Sequence, residues 1–176
     1  MRFAATAVEG AWLIHADPSF DERGAFVRLS CERTLAERGL VGHFAQTSLS
    51  VSRHRGTLRG MHYQAAPHGE VKLVRCIRGT VHDVVLDLRP HSATYLRWAA
   101  AELSADNQLA FYVPEGCAHG LLTLEDDCRV LYQISSEHVP AAARGVRWND
   151  PAFAIEWAAS PVRMSERDAA YADYSL

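Results

Sequence analysis

The stretch GTLRGMHYQ (56–64) sets a guanidinium, Arg59, three residues before an imidazole, His62, inside a run that otherwise has strand composition and bends at Gly56 and Gly60. Lys72, Arg75, His82, Asp83, His119 and Tyr132 also lie in strand-like runs or at their ends. A charge buried without a partner is expensive, so polar groups inside strands must satisfy one another or meet a ligand. The set is positive, with titratable imidazoles and one phenol. That composition suits an anionic substrate that undergoes proton transfer. Taken singly, each residue also has a structural reading. A strand histidine is often only hydrogen-bonded, Lys72 could face outward, Tyr132 could be a half-buried strand aromatic, and Arg23 in DERGAF could be a solvated loop charge.

The elements that must position these groups are mostly strands. VKLVRCIRG, TVHDVVLDL, YLRWAAAEL, LAFYVPEG, HGLLTLEDD and CRVLYQIS follow one another with Gly, Pro, Asp or Asn between them, the pattern of an antiparallel sandwich or barrel. AAAELSADNQ has helical propensity, but its turn cluster and the strand that follows favour strand then turn. One early helix is expected over ERTLAERG, capped by Ser30, with Leu35 and Leu40 inward and Gly39 as its stop. In the tail, Ser165 can cap one or two further turns lying on the barrel.

Composition sets outer bounds. A chain of 176 residues, 22% charged, fits one domain over 1–176 with a substantial core. A net charge of −3 gives no electrostatic argument for nucleic acid. No segment has the length of apolar residues that spans a bilayer, and the N-terminal stretch carries acids instead of a signal-type apolar run. Cys31, Cys76, Cys117 and Cys128 form no CxxC pair, so free thiols in a reducing cytoplasm are expected.

Other chemistries fit less well. His62, His68, Glu70 and His119 are superficially similar to the ligands of metal-binding cupin barrels, which present HxH, then Glu, then a later His. Here Tyr63 and Gln64 follow His62, and His68 falls in the turn-like APHGE, so a metal is not expected. Nucleophile elbows and glycine-rich phosphate loops are absent from the sequence, so any phosphate would be held by arginines.

FDERGAF (20–26), LRGMHYQ (58–64), KLVRCIRG (72–79), VHDVVLDLR (81–89), VPEGCAHG (113–120), LYQ (131–133), GVRWNDP (145–151) and SERD (165–168) together resemble the dTDP-4-dehydrorhamnose 3,5-epimerase family, in order and over nearly the whole chain. The resemblance implies an all-β fold, a cupin-type double-stranded β-barrel (jelly roll) with a few short peripheral helices. It also implies a homodimer with exchanged N-terminal strands, and no metal or other cofactor. By the same resemblance His62 is the catalytic base and Asp168 its carboxylate partner. Lys72 sits beside the substrate's keto oxygen, and Tyr132 is the acid on the opposite face. Arg23 and Arg59 contact the diphosphate, His119 lines the same pocket, and Phe26 and Gln46 help hold the nucleotide, dTDP in most of the family. The implied reaction is epimerisation at C3 and/or C5 of a nucleotide-linked 4-keto-6-deoxyhexose, in deoxysugar or cell-surface polysaccharide synthesis. A non-catalytic sugar-nucleotide-binding barrel and a related keto-isomerase are the alternatives. Four positions depart from the family pattern: Arg28 for Glu, Ser48 for Asn, and Glu137 and His138 for a pair of aromatics. Arg167 replaces the commoner Lys and keeps its charge.

Overall fold

Alternating apolar runs broken by turn residues fold into thirteen strands in the computed structural model, which describes residues 1–175. The larger sheet runs in the order β1 (Arg2–Ala5), β2 (Trp12–His15), β10 (Leu109–Val113), β7 (Lys72–Arg78), β12 (Cys128–Ile134), β5 (Gln46–Ser52). The smaller runs β13 (Ala143–Gly145), β6 (Leu58–Gln64), β11 (Cys117–Thr123), β8 (Thr80–Asp87), β9 (Trp98–Ser104). All neighbours are antiparallel, and the sheets face each other as the two halves of a jelly roll. A separate hairpin, β3 (Pro18–Asp21) and β4 (Gly24–Val27), joins neither sheet.

Three apolar clusters hold this arrangement. Val74, Val85, Leu103, Phe111 and Leu121 fill the space between the sheets. Outside the larger sheet, Ile14, Leu73 and Tyr112 pack under the N-terminal segment, whose Leu35 is fully buried. Outside the smaller sheet, Val84, Leu86 and Ala118 are covered by Val146, Phe153 and Trp157 from the C-terminal segment. Strand β8 therefore buries both faces. Val81, Asp83 and Val85 alternate inward, while His82, Val84 and Leu86 alternate outward under the tail. Asp83 thereby reaches the interior.

A regular strand would put Arg59 and His62 on opposite faces, because three residues apart breaks the two-residue period. Gly60 resolves the conflict. The pairing of β6 with β11 shifts register between His119 and Leu121, a bulge that rephases the strand. Gly60 sits at φ +133°, and a Cβ there would lie 2.5 Å from the Cα of Gly120. Only glycine fits both the angle and the approach.

The early helix is α1 (Glu32–Ala36), and its N-cap is Cys31, not Ser30, without a side-chain capping bond. Tertiary burial of Leu35 substitutes for the missing cap. Its end is as expected: Gly39 takes φ +71°, and Leu40 N–H donates to the Leu35 carbonyl. The tail helix α2 (Glu166–Ala169) is capped by Ser165, whose Oγ accepts from the Asp168 N–H at 3.0 Å.

Gly60→Ala is expected to destabilise the protein by roughly 2–5 kcal/mol through combined backbone strain and overpacking, read as a lowered urea midpoint at constant m-value. Near-native stability of that variant would show that the bulge tolerates a side chain.

Candidate active site

A cavity of about 800 Å³ opens between the sheets. Arg59, His62 and His119 line it from the smaller sheet; Gln46, Ser48, Lys72 and Tyr132 line it from the larger. Asp168 enters from α2, and His138 stands near Gln46. The register explains the convergence. His62 and His119 are direct partners across β6 and β11, so their side chains share the inner face. Tyr132 meets them from the other sheet, its ring edge-on to His119 with centroids 5.7 Å apart.

The acid–base centre spans 106 residues of sequence: His62 Nε2 lies 2.6 Å from Asp168 Oδ1. The second oxygen, Oδ2, accepts from the Gly60 N–H at 3.3 Å. Burial pushes the Asp168 carboxyl up. The His62 hydrogen bond and charge, the Gly60 amide and Ser165 outweigh it and hold the group below the ordinary carboxylate range. An ionised Asp168 accepts from Nε2–H, which leaves the lone pair on Nδ1 of the imidazole. The His62 side chain is 39% exposed, open to a ligand, while its partner is buried. Tyr171 packs edge-on against the same imidazole at 6.3 Å.

The other polar groups are also paired. His119 Nε2 contacts both oxygens of the fully buried Asp83, at 2.9 and 3.0 Å. Lys72 Nζ lies 2.9 Å from Glu70 Oε1 and donates to the His62 carbonyl at 3.2 Å. Arg59 donates from Nε to Ser52 Oγ and from one terminal nitrogen to the Val51 carbonyl. Arg53, Arg163 and Arg167 line the cavity beside it, so one region collects guanidinium groups. Gln46 accepts from the His138 N–H at 2.9 Å through Oε1, which leaves its amide N–H groups free to donate. Burial, reinforced by the Asp83 charge and opposed by Arg59, drives the Tyr132 phenol far above its ordinary range. The phenol stays protonated, a donor in waiting.

The expected residues thus divide. His62, Lys72, Tyr132, Asp168, Arg59, Gln46 and His119 come together in one cavity. Arg23 and Phe26 do not. They sit on the β3–β4 hairpin, where Arg23 pairs with Asp21 and Phe26 is 78% exposed. Arg28 lies with Phe26 at a separate small depression beside Met1 and Asp17. Two other strand charges are structural. Arg75 faces outward and donates to the Leu29 and Gln108 carbonyls, its pKa pulled to about 10 by burial, and His82 packs on Trp157. Asp83 and Glu70 are partners that the sequence does not point to: the only signals are a carboxylate inside the strand run TVHDVVLDL and one two residues before Lys72. Among the described residues, no three His, Cys, Asp or Glu side chains converge as metal ligands. His62, Glu70 and His119 are each engaged by another partner.

A jelly roll whose cavity sets an imidazole–carboxylate pair against a phenol defines an acid–base barrel enzyme. The chain belongs to the dTDP-4-dehydrorhamnose 3,5-epimerase family, whose model matches residues 5–175. It is 43% identical over 157 residues to the dTDP-4-dehydrorhamnose 3,5-epimerase of Methanothermobacter thermautotrophicus, covering 89% of this chain and 83% of that one. The crystal structure of the Elizabethkingia anophelis 3,5-epimerase superposes with a TM-score of 0.95 at 35% identity, covering 99% of this chain and 96% of the other. The Legionella pneumophila 3,5-epimerase, solved in complex with dTDP-4-keto-L-rhamnose, gives 0.90 at 31% identity, covering 97% and 90%.

Because the Asp168 pKa is lowered on folding, its stabilising contribution is complete above the ordinary value of 3.8 and is lost as pH falls through the folded value. Asp168→Asn is therefore expected to lower the melting temperature relative to wild type at pH 7, with the gap narrowing below pH 3.8. A gap independent of pH would mean that the carboxylate charge plays no part.

Proposed function

We propose that this protein epimerises a dTDP-linked 4-keto-6-deoxyhexose at one or both carbons flanking the carbonyl. The observation that supports this most is the approach of His62 and Tyr132 to one cavity from opposite sheets. Inversion requires a proton to leave from one face and return to the other.

The C4 carbonyl acidifies the hydrogens on C3 and C5. His62 Nδ1 takes one of them, and Asp168 steadies the imidazolium that forms. The C–H electron pair moves into an enolate, whose oxygen meets the Lys72 ammonium. Tyr132, held protonated, gives its proton to the opposite face of the same carbon. Solvent then takes the proton from His62 and resupplies Tyr132. Atoms and electrons balance without a redox step, so the reading calls for no cofactor and no metal.

Arg59 and the neighbouring guanidinium groups suit a diphosphate, whose binding energy fixes the sugar carbon against the base. The free Gln46 donors suit a carbonyl of the nucleobase. Arg23 and Phe26 enter this reading through a second copy. The chain is a homodimer whose N-terminal strands are exchanged, so that each exposed hairpin reaches the partner's cavity. The residues 1–176 act as one domain, and no helix among the described residues is long and apolar enough to cross a membrane. The three buried free thiols, Cys76, Cys117 and Cys128, fit a cytoplasmic setting. The place in metabolism is deoxysugar synthesis, rhamnose above all, for surface polysaccharide.

In D2O, without added metal or nicotinamide, the protein is expected to place one deuterium on each inverted carbon, counted by mass spectrometry. His62→Ala is expected to slow exchange by about 10²–10⁴-fold. Tyr132→Phe is expected to exchange yet lose inversion. Tight dTDP-sugar binding with no exchange in the wild type would instead identify a binding module.

A further inference from the structure

Lys72 Nζ forms an ion pair with the Glu70 carboxylate at 2.9 Å and donates a hydrogen bond to the His62 carbonyl at 3.2 Å. These two contacts hold the ammonium at the cavity wall, with N–H donors left for a ligand. The Glu70 and Lys72 side chains are only 10% and 9% exposed, so the pair is held within the protein wall. The backbone around Glu70 is clamped from both sides. Ser136 Oγ donates to the Gly69 carbonyl at 2.8 Å, and Ser135 Oγ accepts from the Val71 N–H at 2.8 Å. The Glu115 side chain packs closely over Gly69, in the space that a Cβ there would occupy.

We infer that Glu70 is the positioning residue that aims the Lys72 ammonium at the enolate oxygen. The inference rests on the proposed reaction, in which Lys72 meets that oxygen. A lysine needs such an anchor here. Its four-carbon stem is flexible, and the substrate brings a diphosphate into the same cavity that would draw a loose ammonium away from the sugar. Glu70 supplies a competing anion fixed to the fold, which keeps the charge at the reacting end. The two serines after β12 hold that anion in register.

The test is a double-mutant cycle in Glu70 and Lys72, read by deuterium incorporation, dTDP calorimetry and thermal melting. Glu70→Ala is expected to lower kcat about 10–100-fold, the scale of a misplaced catalytic group. Its dTDP Kd is expected to stay within about threefold of wild type, because the loss is confined to the transition state. Glu70→Gln, which keeps the length of the side chain but removes the anion, should lose kcat on the same scale as Glu70→Ala. In a Lys72→Ala background, Glu70→Ala should change the residual rate by less than about twofold. If Glu70→Ala does not fold, Glu70→Asp carries the test: it keeps the charge, withdraws the carboxylate by one methylene and should lose kcat alone. Unchanged kcat in the folded variant, or an equal loss with and without Lys72, would overturn the assignment. Absence of exchange in the wild type would overturn the proposed reaction, and this inference with it.

Discussion

A buried carboxylate at the end of a short tail helix holds the site together. Asp168 is 4% exposed and shielded from bulk solvent, so its charge depends on partners within the fold. They are an imidazole on β6, the Gly60 amide on the same strand and the helix cap Ser165. Removing one partner of a fully buried ion pair costs about 3–5 kcal/mol; the value here is smaller because the His62 side chain is 39% exposed. Docking of the tail helix and orientation of the imidazole therefore rest on the same contacts.

The dyad is one of three similar pairs. His62 with Asp168, His119 with Asp83 and Lys72 with Glu70 each join a basic group lining the cavity to a carboxylate, at 2.6, 2.9 and 2.9 Å. Each carboxylate offsets the charge of its base and fixes the base's orientation, so the uncancelled positive charge offered to an anionic ligand comes from the cavity arginines. Arg59 differs. It is pinned through neutral acceptors on β5, Ser52 Oγ and the Val51 carbonyl, so its charge is not cancelled locally. A guanidinium held by neutral acceptors keeps its charge for an anion.

Much of this was legible in the sequence, for definable reasons. Strand runs with turn residues between them specify an antiparallel β fold because the two-residue period and the turn chemistry agree. The Ser165 cap was readable because capping is local. The gathering of His62, Lys72, Tyr132 and Asp168 came from a family resemblance, since no local rule brings residues 106 apart together. Three features lay beyond that reading. The Ser30 cap gave way to Cys31 because burial of Leu35 outweighs a single capping bond. Asp83 and Glu70 needed the register of β8 and the geometry of a loop before their partners could be named. The hairpin residues Arg23 and Phe26 lie outside the cavity of their own chain, which one sequence does not reveal.

In the proposed reaction a sugar ring lies between the imidazole of one sheet and the phenol of the other. A crystal structure of the protein with a dTDP-linked hexose bound tests it most directly. C3 or C5 of the ring is expected within reach of His62 Nδ1 on one face and Tyr132 Oη on the other, with O4 at Lys72. A ring bound with both groups on one face, or with its sugar away from His62, would contradict it.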